Sequence, residues 1–279
     1  MIDPLVVERL IDSALAEDIG FCDLTSELVI PATARAELAL NARQDIVLAG
    51  IDVAARVFGR RAGCVVDLRA SDGDRVGSGA MMARIAGPAR ALLAVERTAL
   101  NFLQHLSGIA TLTAQYVERL AGTRSVLIDT RKTTPGLRAL EKHAVQLGGG
   151  RNHRLRLDDG VLIKDNHISV CGSIAEAVRR AREGAPVLTK IEVECDTLDQ
   201  VKEALASGAD MILLDNMSLD DMRRAVALSA GRVPLEASGG VRLETVRAIA
   251  ETGVDFISVG RITQSAPAVD IGLDAIVRT

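Results

Sequence analysis

Positive charge is concentrated in one segment of an otherwise acidic chain. The 279-residue sequence carries a formal charge of −4, yet residues 130–164 hold eight Arg and Lys against three acidic residues, a local balance of +5. Turn residues at 135–136 and 148–150 interrupt the segment, so it is not one long solvated helix face. Cations gathered in this way indicate a pocket for a small, multiply anionic ligand. A basic surface patch, paired with acidic residues elsewhere, is the alternative on charge alone.

Short aliphatic runs recur in the second half of the sequence, and each ends in polar or glycine residues. Amphipathic helical patterns separate most of them, which is typical of parallel strands joined by crossover helices. In α/β barrels the catalytic groups lie where the strands end, so the polar residues are predicted to converge on one edge. The predicted strands are 126–132, 161–167, 190–195, 211–216, 234–240 and 256–261. The polar ends are Asp129 to Lys132, Lys164 to His167, Glu194, Asp215-Asn216, Ser238-Gly239-Gly240 and Ser258-Val259-Gly260-Arg261.

Four of these strand ends suggest a phosphate site and a metal site. Gly239, Gly240 and Gly260 would let backbone N–H groups approach a phosphate without a Cβ in the way. A plain tight turn at the Gly-Gly pair is the alternative. Glu194 and Asp215 end neighbouring strands and would face the cations, which suits direct or water-mediated ligands of Mg²⁺. A general acid and base pair, or salt bridges to the lysines, stay open as other uses of these two carboxylates.

The cationic side chains suit a substrate that carries carboxylates or phosphates. Arg131 and Arg154 offer guanidinium forks, and Lys132 and Lys164 offer point charges. The four histidines show no metal-ligand spacing, so His153 is predicted to form hydrogen bonds instead. No nucleophile stands beside a base, and the sequence has no G-x-S-x-G elbow at a strand end. The chemistry is therefore predicted to depend on electrostatics and positioning, without a covalent intermediate.

Composition argues against several other classes of protein. Apolar residues make up 48% of the chain but aromatic residues only 2%, which predicts an aliphatic core of parallel strands covered by helices. The pI near 5.7 and the missing aromatic platforms argue against nucleic-acid binding. The four cysteines form no CxxC pair, which favours a reducing cytoplasm over a disulfide framework or a zinc site. Residues 98–117 lack formal charge but are too polar to span a membrane, and are predicted to form a buried pair of helices.

The whole pattern predicts an α/β fold, namely an incomplete α/β barrel of about seven strands preceded by an α+β segment. Six barrel strands are visible in the sequence, and a seventh is predicted around residues 145–157. An open doubly wound sheet is the alternative, although no G-x-G-x-x-G follows any of the strands. In the first third, residues 4–17 have helical periodicity, and short strands are predicted at 35–41, 46–49, 64–69 and within 71–87.

These motifs resemble the quinolinate phosphoribosyltransferase family, in order and over nearly the full length of the chain. Nine segments carry the resemblance. They are ERTALNFLQHLSGIAT (96–111), DTRKTTPGLR (129–138), GGGRNHRL (148–155), LIKDNH (162–167), EVE (192–194), LLDN (213–216), EASGG (236–240), TGVDFISVG (252–260) and DIGLD (270–274).

The resemblance implies an N-terminal α/β sandwich over residues 1–113, completed by the C-terminal tail at about 268–279, and a barrel domain over 114–267. It implies a pentosyltransferase of de novo NAD biosynthesis. This enzyme converts quinolinate and phosphoribosyl pyrophosphate to nicotinate mononucleotide, pyrophosphate and CO₂ with Mg²⁺. It also implies a homodimer with shared active sites, and no nucleic-acid or membrane partner.

The resemblance further implies a role for each strand-end residue. Arg131, His153 and Arg154 would hold the quinolinate carboxylates, with Thr130 in the same group and Arg97 reaching in from the partner subunit. The predicted catalytic residues are Lys132 and Lys164, which would also contact substrate carboxylate or pyrophosphate, together with Glu194 and Asp215, which would also serve the metal. The predicted ligands of the 5′-phosphate are Ser238, Gly239, Gly240, Ser258, Val259 and Gly260.

Three positions depart from the family pattern. Arg156 stands where Gly is common, His143 where Tyr is usual, and Gln264 where His is usual. None of them removes a predicted substrate contact. Two other functions stay open, a sugar-phosphate aldolase or isomerase that uses Lys132 or Lys164 as a Schiff base, and a non-catalytic phosphate-binding relative.

Overall fold

The structure is a computed structural model and describes residues 3–276. These residues divide into two compact units, each with its own core. The first unit comprises residues 3–114, 133–149 and 262–276, and the second comprises residues 115–132 and 150–261. The positively charged segment is therefore divided between them, because residues 133–149 belong to the first unit. None of the helices within residues 3–276 is long and apolar enough to cross a membrane.

The first part of the chain alternates helices with short strands. The first helix begins at Pro4 because Asp3 caps it, its carboxylate accepting the N–H of Leu5 at 2.9 Å. Asp23 caps the second helix in the same way through the N–H of Ser26. The elements are α1 (Pro4–Ile19), α2 (Leu24–Val29), β1 (Arg35–Ala42), β2 (Ile46–Val47), α3 (Ile51–Gly59), β3 (Val65–Leu68), β4 (Arg75–Val76), β5 (Met81–Pro88) and α4 (Ala89–Arg119).

The second part alternates strand and helix regularly, as the sequence predicts. Thr197 and Ser218 cap two of the crossover helices, so each begins directly after a polar strand end. The elements are β6 (Val126–Ile128), α5 (Arg138–Leu147), β7 (Val161–Ile163), α6 (Asp165–Cys171), α7 (Ile174–Gly184), β8 (Ile191–Cys195), α8 (Leu198–Ala206), β9 (Met211–Asp215), α9 (Leu219–Ser229), β10 (Leu235–Ser238), α10 (Val246–Ala250), β11 (Phe256–Ser258), α11 (Arg261–Gln264) and β12 (Ile271–Ala275).

Antiparallel strands form the first unit. One sheet has the order β12-β1-β5-β3, and β2 pairs with β4 in a separate ladder. The C-terminal strand β12 runs antiparallel to β1, with Leu40 opposite Leu273. Leu38 and Ile85, which face each other across β1 and β5, are both buried. Helix α3 contacts both α1 and β3.

The second unit is an open parallel sheet with the strand order β6-β11-β10-β9-β8-β7. Beside β6, Arg151 forms a single parallel bridge to Ile128, within the region predicted to hold a seventh strand. The Arg151 N–H donates to Leu127 O at 2.9 Å, and Asp129 N–H donates to Arg151 O at 3.1 Å. Among residues 3–276 no ladder joins Arg151 to β7, so the barrel is incomplete. The predicted fold class is confirmed.

Helix α4 is one continuous helix, so the predicted pair of helices over residues 98–117 is wrong. Gly108 does not break it, because the glycine serves packing. A Cβ at this position would lie 2.2 Å from Pro267 O, so only glycine lets the two backbones approach. Its neighbour Ser107 is buried, where its hydroxyl accepts the N–H of Ala49 at 3.0 Å and donates to Ala49 O at 3.1 Å.

Replacement of Gly108 by alanine is expected to destabilise the protein, although alanine is the better helix former. The gain in helix propensity is about 1 kcal/mol. The contact with the Pro267 backbone forces a shift whose cost exceeds that gain, and we expect a net loss of about 2 kcal/mol in urea unfolding. Gln115→Ala, an exposed site of the same helix, is the control and should change stability little. An unchanged or increased stability of Gly108→Ala would show that the close approach is not needed.

Candidate active site

The parallel sheet has one aliphatic face and one polar face. Side chains alternate along each strand, and parallel partners in register point to the same side. In β8, Ile191, Val193 and Cys195 share the face toward α7 and α8, which contact this strand. The opposite face carries acidic and hydroxyl side chains along β8 to β11, namely Glu192, Glu194, Asp215, Glu236, Ser238 and Ser258.

The second unit contains every predicted site residue except Arg97. Arg97 lies exposed on α4 in the first unit, and its predicted role in the partner subunit's site stays a prediction. The others lie at the carboxyl ends of their strands or directly after them, and His153 and Arg154 follow the Arg151 bridge. They are Thr130, Arg131, Lys132, His153, Arg154, Lys164, Glu194, Asp215, Ser238, Gly239, Gly240, Ser258, Val259 and Gly260.

Lys164 and Glu194 form an ion pair across the ends of β7 and β8. Lys164 Nζ lies 2.6 Å from Glu194 Oε2, with 45% of the lysine side chain and 12% of the glutamate side chain exposed. Glu194 stands opposite Leu213, so Asp215 is two residues further along the neighbouring strand on the same face. Asp215 Oδ2 accepts the side-chain amide of Asn216 at 2.7 Å. The two carboxylates therefore lie at the same polar edge, and one of them is already matched to a cation.

The glycines that follow β10 and β11 lie against side chains at the ends of neighbouring strands. Gly239 has a φ of +93°, and a Cβ there would lie 2.2 Å from Asn216 Oδ1, so no other residue fits this turn. A Cβ on Gly260 would lie 2.8 Å from Lys132 Cδ, which places the Lys132 stem against the end of β11. Thr130 Oγ1 accepts the N–H of Lys132 at 3.0 Å and fixes the turn after β6.

Residues 258–260 are not equivalent as predicted phosphate ligands. Ser258 is 4% exposed on the polar face, and the N–H of Val259 already donates to Ile128 O at 3.0 Å in the ladder with β6. Gly260 lies beyond that ladder and is half-buried. Of the three backbone N–H groups, that of Val259 is therefore committed to the sheet.

A buried carboxylate fixes the segment that carries His153 and Arg154. Asp129 is fully buried at the end of β6, where Oδ1 accepts the N–H of His153 at 2.8 Å and Oδ2 accepts the Asn152 side-chain amide at 2.7 Å. Arg154 Nη1 donates to Gly160 O at 2.9 Å. The sequence places Asp129 at a strand end but does not reveal this anchoring role, because the two partners lie more than twenty residues further along.

Arg131 and Arg154 bring two positive charges together. Burial, followed by the positive charge of Arg131, lowers the pKa of Arg154. A guanidinium with a lowered pKa is destabilised in its charged form, and an anion bound beside it would relieve that cost. Arg156, two residues on, has 74% of its side chain exposed and its Nε lies 3.5 Å from Asp158 Oδ1. The two guanidinium groups thus mark a local preference for anions, and Arg156 lies outside it.

Sequence reasoning missed a buried cluster on the polar face. His153 Nε2 lies 2.8 Å from Glu192 Oε2 and 3.5 Å from Glu236 Oε2, with both glutamates buried. Burial, followed by the negative charge of Glu192, raises the pKa of Glu236 well above its ordinary value. The available signal was the two-residue alternation in EVE and EAS, which puts these glutamates on the same face as the strand-end groups Glu194 and Ser238.

The second unit is an incomplete α/β barrel with cations, glycine turns and carboxylates at one edge. This combination is typical of an α/β-barrel enzyme that acts on anionic substrates. Two family profiles match the chain, described as quinolinate phosphoribosyl transferase, N-terminal domain, over residues 23–107, and quinolinate phosphoribosyl transferase, C-terminal domain, over residues 109–274. The chain belongs to the quinolinate phosphoribosyl transferase family, as the sequence motifs predict.

Relatives and solved structures agree with this membership. The chain is 45% identical over 269 residues to nicotinate-nucleotide pyrophosphorylase (carboxylating) of Mycobacterium leprae, covering 94% of each protein. It is 41% identical over 287 residues to the chloroplastic enzyme of Arabidopsis thaliana, covering 96% of this chain and 82% of that one. The structure of the nicotinate-nucleotide pyrophosphorylase from Francisella tularensis superposes with a TM-score of 0.95 at 39% identity, covering 99% of this chain and 98% of that chain. That from Ehrlichia chaffeensis gives a TM-score of 0.93 at 43% identity, covering 96% and 98%.

Asp129→Asn is expected to loosen the segment that carries His153 and Arg154. An amide has one acceptor oxygen in place of two, so one buried donor, the His153 N–H or the Asn152 amide, loses its partner. The expected loss is about 2 kcal/mol of unfolding free energy in urea. Asp158→Asn removes an exposed carboxylate from the same region and is the control. Equal stability of the two variants would show that Asp129 does not anchor the segment.

Proposed function

We propose that the protein transfers the phosphoribosyl group of 5-phosphoribosyl 1-pyrophosphate to quinolinate and removes the quinolinate 2-carboxylate as CO₂. The products are nicotinate mononucleotide and pyrophosphate, a step of NAD biosynthesis. The observation that carries the proposal is the placing of Arg131 beside Arg154, where burial already disfavours the charged guanidinium of Arg154. Quinolinate carries two adjacent carboxylates, and two guanidinium forks offer the matching donors. The family membership gives the proposal its substrate.

The remaining cations and the glycine turns are assigned to the two ends of phosphoribosyl pyrophosphate, namely its pyrophosphate and its 5′-phosphate. Arg131, Arg154, His153 and Thr130 form the carboxylate side of the site in this proposal, and Lys132 and Lys164 take the pyrophosphate side. The contact of the Lys132 stem with Gly260 supports a position between pyrophosphate and 5′-phosphate. The proposed 5′-phosphate ligands are Ser238, Gly239, Gly240, Ser258 and Gly260, whereas Val259, whose N–H donates to Ile128 O, would line the site without donating to the phosphate.

The proposal includes Mg²⁺, with Glu194 and Asp215 as its protein ligands. Their carboxylate oxygens are hard donors, and Mg²⁺ is commonly held by one or two carboxylates together with substrate phosphate oxygens. Neither belongs to the cluster of His153, Glu192 and Glu236 that lies close enough to hold an ion by itself. The two residues therefore fit a metal that arrives with pyrophosphate. When bound, Mg²⁺ would neutralise charge on the departing pyrophosphate.

The reaction needs alignment and charge matching more than a nucleophile of the protein. The bond between ribose C1 and the pyrophosphate oxygen breaks, and the pyridine nitrogen of quinolinate bonds to C1. The nitrogen is then positively charged, so the electron pair left at C2 by departing CO₂ is stabilised until a proton replaces the carboxylate. Lysines at the pyrophosphate stabilise charge as it develops. The ion pair of Lys164 with Glu194 fits this role better than that of a Schiff-base amine.

Conversion of quinolinate, phosphoribosyl pyrophosphate and Mg²⁺ to nicotinate mononucleotide and CO₂ tests the function directly. In that assay Arg154→Ala is expected to lower kcat/KM for quinolinate about 100-fold, because it removes a charge-assisted contact, while the KM for phosphoribosyl pyrophosphate stays near its original value. Arg156→Ala, an exposed arginine two residues away, is the matched control.

Three results would contradict this assignment. The first is equal use of nicotinate and quinolinate by the unaltered protein. The second is a borohydride-trapped adduct on a lysine, which would indicate an aldolase. The third is loss of phosphoribosyl pyrophosphate binding in Arg154→Ala, which would mean that the two sub-sites are reversed.

We also propose that the protein is a homodimer. Phe21, which lies between α1 and α2, is fully exposed, and Leu24, Leu28 and Val29 of α2 are 64%, 76% and 70% exposed. Contiguous exposed apolar side chains of this size are typical of an interface. Arg97, exposed on α4 of the same unit, is proposed to complete the active site of the partner subunit.

A subunit-mixing experiment tests the shared site. Arg97→Ala and Arg154→Ala are each expected to be nearly inactive, but refolding an equal mixture should restore about a quarter of the original activity. Half of the dimers would be mixed, and each mixed dimer would hold one site free of both lesions. If Arg97 served its own subunit, every site in the mixture would carry a lesion and no activity would return. A monomer in light scattering would contradict the dimer itself.

A further inference from the structure

Both ring nitrogens of His153 are engaged within the protein. Nδ1 accepts the backbone N–H of Arg154 at 2.8 Å. A ring nitrogen that accepts an N–H carries no proton of its own, so the proton of the neutral ring is on Nε2. Nε2 faces the Glu192 carboxylate at 2.8 Å and the Glu236 carboxylate at 3.5 Å. The ring therefore donates its one N–H into the sheet, not toward a ligand.

The acceptor of this hydrogen bond, Glu192, and the neighbouring Glu236 are deeply buried. The side chains of Glu192 and Glu236 are 6% and 1% exposed, and that of His153 is 16% exposed. Two ionised carboxylates side by side at this depth would repel each other and lack solvation. The raised pKa of Glu236 is consistent with a protonated Glu236, so the pair need not carry two negative charges at this depth.

The ring also connects separate parts of the sheet. Asp129 after β6 holds the N–H of His153, Glu192 in β8 accepts the N–H of its ring beside Glu236 in β10, and the ring accepts the N–H of Arg154. Removal of the ring or its acceptor would release the backbone at Arg154, which carries a guanidinium of the carboxylate side. The backbone that carries that guanidinium is thus held by buried side chains.

We propose that His153 is a positioning residue, held by Glu192 and Glu236 so that it fixes Arg154, and that it donates no hydrogen bond to quinolinate. The proposal rests on the proposed function for the identity of the substrate. The arrangement of the ring, in contrast, belongs to the free protein. It replaces the expectation, from family resemblance, of a direct contact between His153 and a substrate carboxylate. It also differs from a metal site, since an ion on His153, Glu192 and Glu236 would displace the Nε2 proton.

The tautomer can be measured without substrate. The chain has four histidines, so nitrogen-15 correlation spectra, assigned with a His153→Gln variant, give the protonation state of each ring nitrogen. The expected result is a neutral His153 with its proton on Nε2. A proton on Nδ1, or a doubly protonated ring, would overturn the proposal. Retention of a divalent metal after dialysis, lost in Glu236→Gln, would overturn it as well.

Steady-state kinetics separates positioning from direct contact. His153→Ala is expected to raise the KM for quinolinate about tenfold, and His153→Asn, whose side-chain oxygen can replace Nδ1 as acceptor of the Arg154 N–H, is expected to recover most of that loss. The KM for phosphoribosyl pyrophosphate should change less than twofold in both variants. If the ring were a charged donor to substrate, the neutral asparagine would fail as badly as alanine, and that result would overturn the proposal.

The glutamates are tested by their amides, with Glu251→Gln, an exposed surface glutamate, as the matched control. The effect on the KM for quinolinate should grow from Glu236→Gln, which resembles the protonated acid, through Glu192→Gln to the double variant. Equal values in all variants and the control would overturn the proposal. If a glutamate variant fails to fold, the spectra of the unaltered protein still decide the tautomer. Failure of the unaltered protein to convert quinolinate would instead refute the proposed function and leave the spectroscopic result standing.

Discussion

The second unit depends on a carboxylate that is fully withdrawn from water. Asp129 ends β6, and its two oxygens hold the N–H of His153 and the side chain of Asn152. The seventh position of the barrel contains only the single bridge of Arg151, which by itself gives little order to the residues that follow. Because a buried carboxylate without donors is very unfavourable, the donors of Asn152 and His153 hold segment 151–154 against Asp129. This constraint positions the side chains that we propose to face the anion.

This arrangement destabilises the charged form of Arg154. Its guanidinium is partly buried and close to Arg131, and both features make the positive charge unfavourable. The fold meets this cost in the free protein, through the hydrogen bond from Arg154 to Gly160 O and the anchoring by Asp129. An anion that arrives needs little reorganisation of its donors, which is the condition under which electrostatic stabilisation is most effective. This agrees with chemistry that lacks a nucleophile of the protein.

Regular elements and strand ends were predictable from the sequence, whereas groupings across the chain were not. The aliphatic run 211–216 gives β9 almost residue for residue, since buried parallel strands leave a continuous apolar signal. The uncharged run 98–117 suggested two helices, but α4 continues through Gly108, whose lack of a side chain permits close packing against Pro267, distant in sequence. The positive segment looked like one pocket, yet residues 133–149 belong to the other unit. In the sequence Glu192 and Glu236 have the character of surface residues, and only the assembled sheet shows that they are buried.

The two glutamates of β8 differ in depth along the strand and therefore in how easily a ligand can replace their partners. Glu194 ends β8 and pairs with Lys164, whose side chain is 45% exposed, so solvent screens the pair and little energy is lost when it opens. Glu192, two residues earlier on the same face, is buried against His153 and Glu236, and breaking its hydrogen bond would leave a buried carboxyl oxygen without its donor. A charged ligand can therefore compete for Lys164 and Glu194 at the edge while leaving the deeper cluster intact. The two-residue alternation of the strand brings both glutamates to one face. The outer one, Glu194, can therefore exchange its partner with a ligand, while the inner one, Glu192, helps to hold the donors in place.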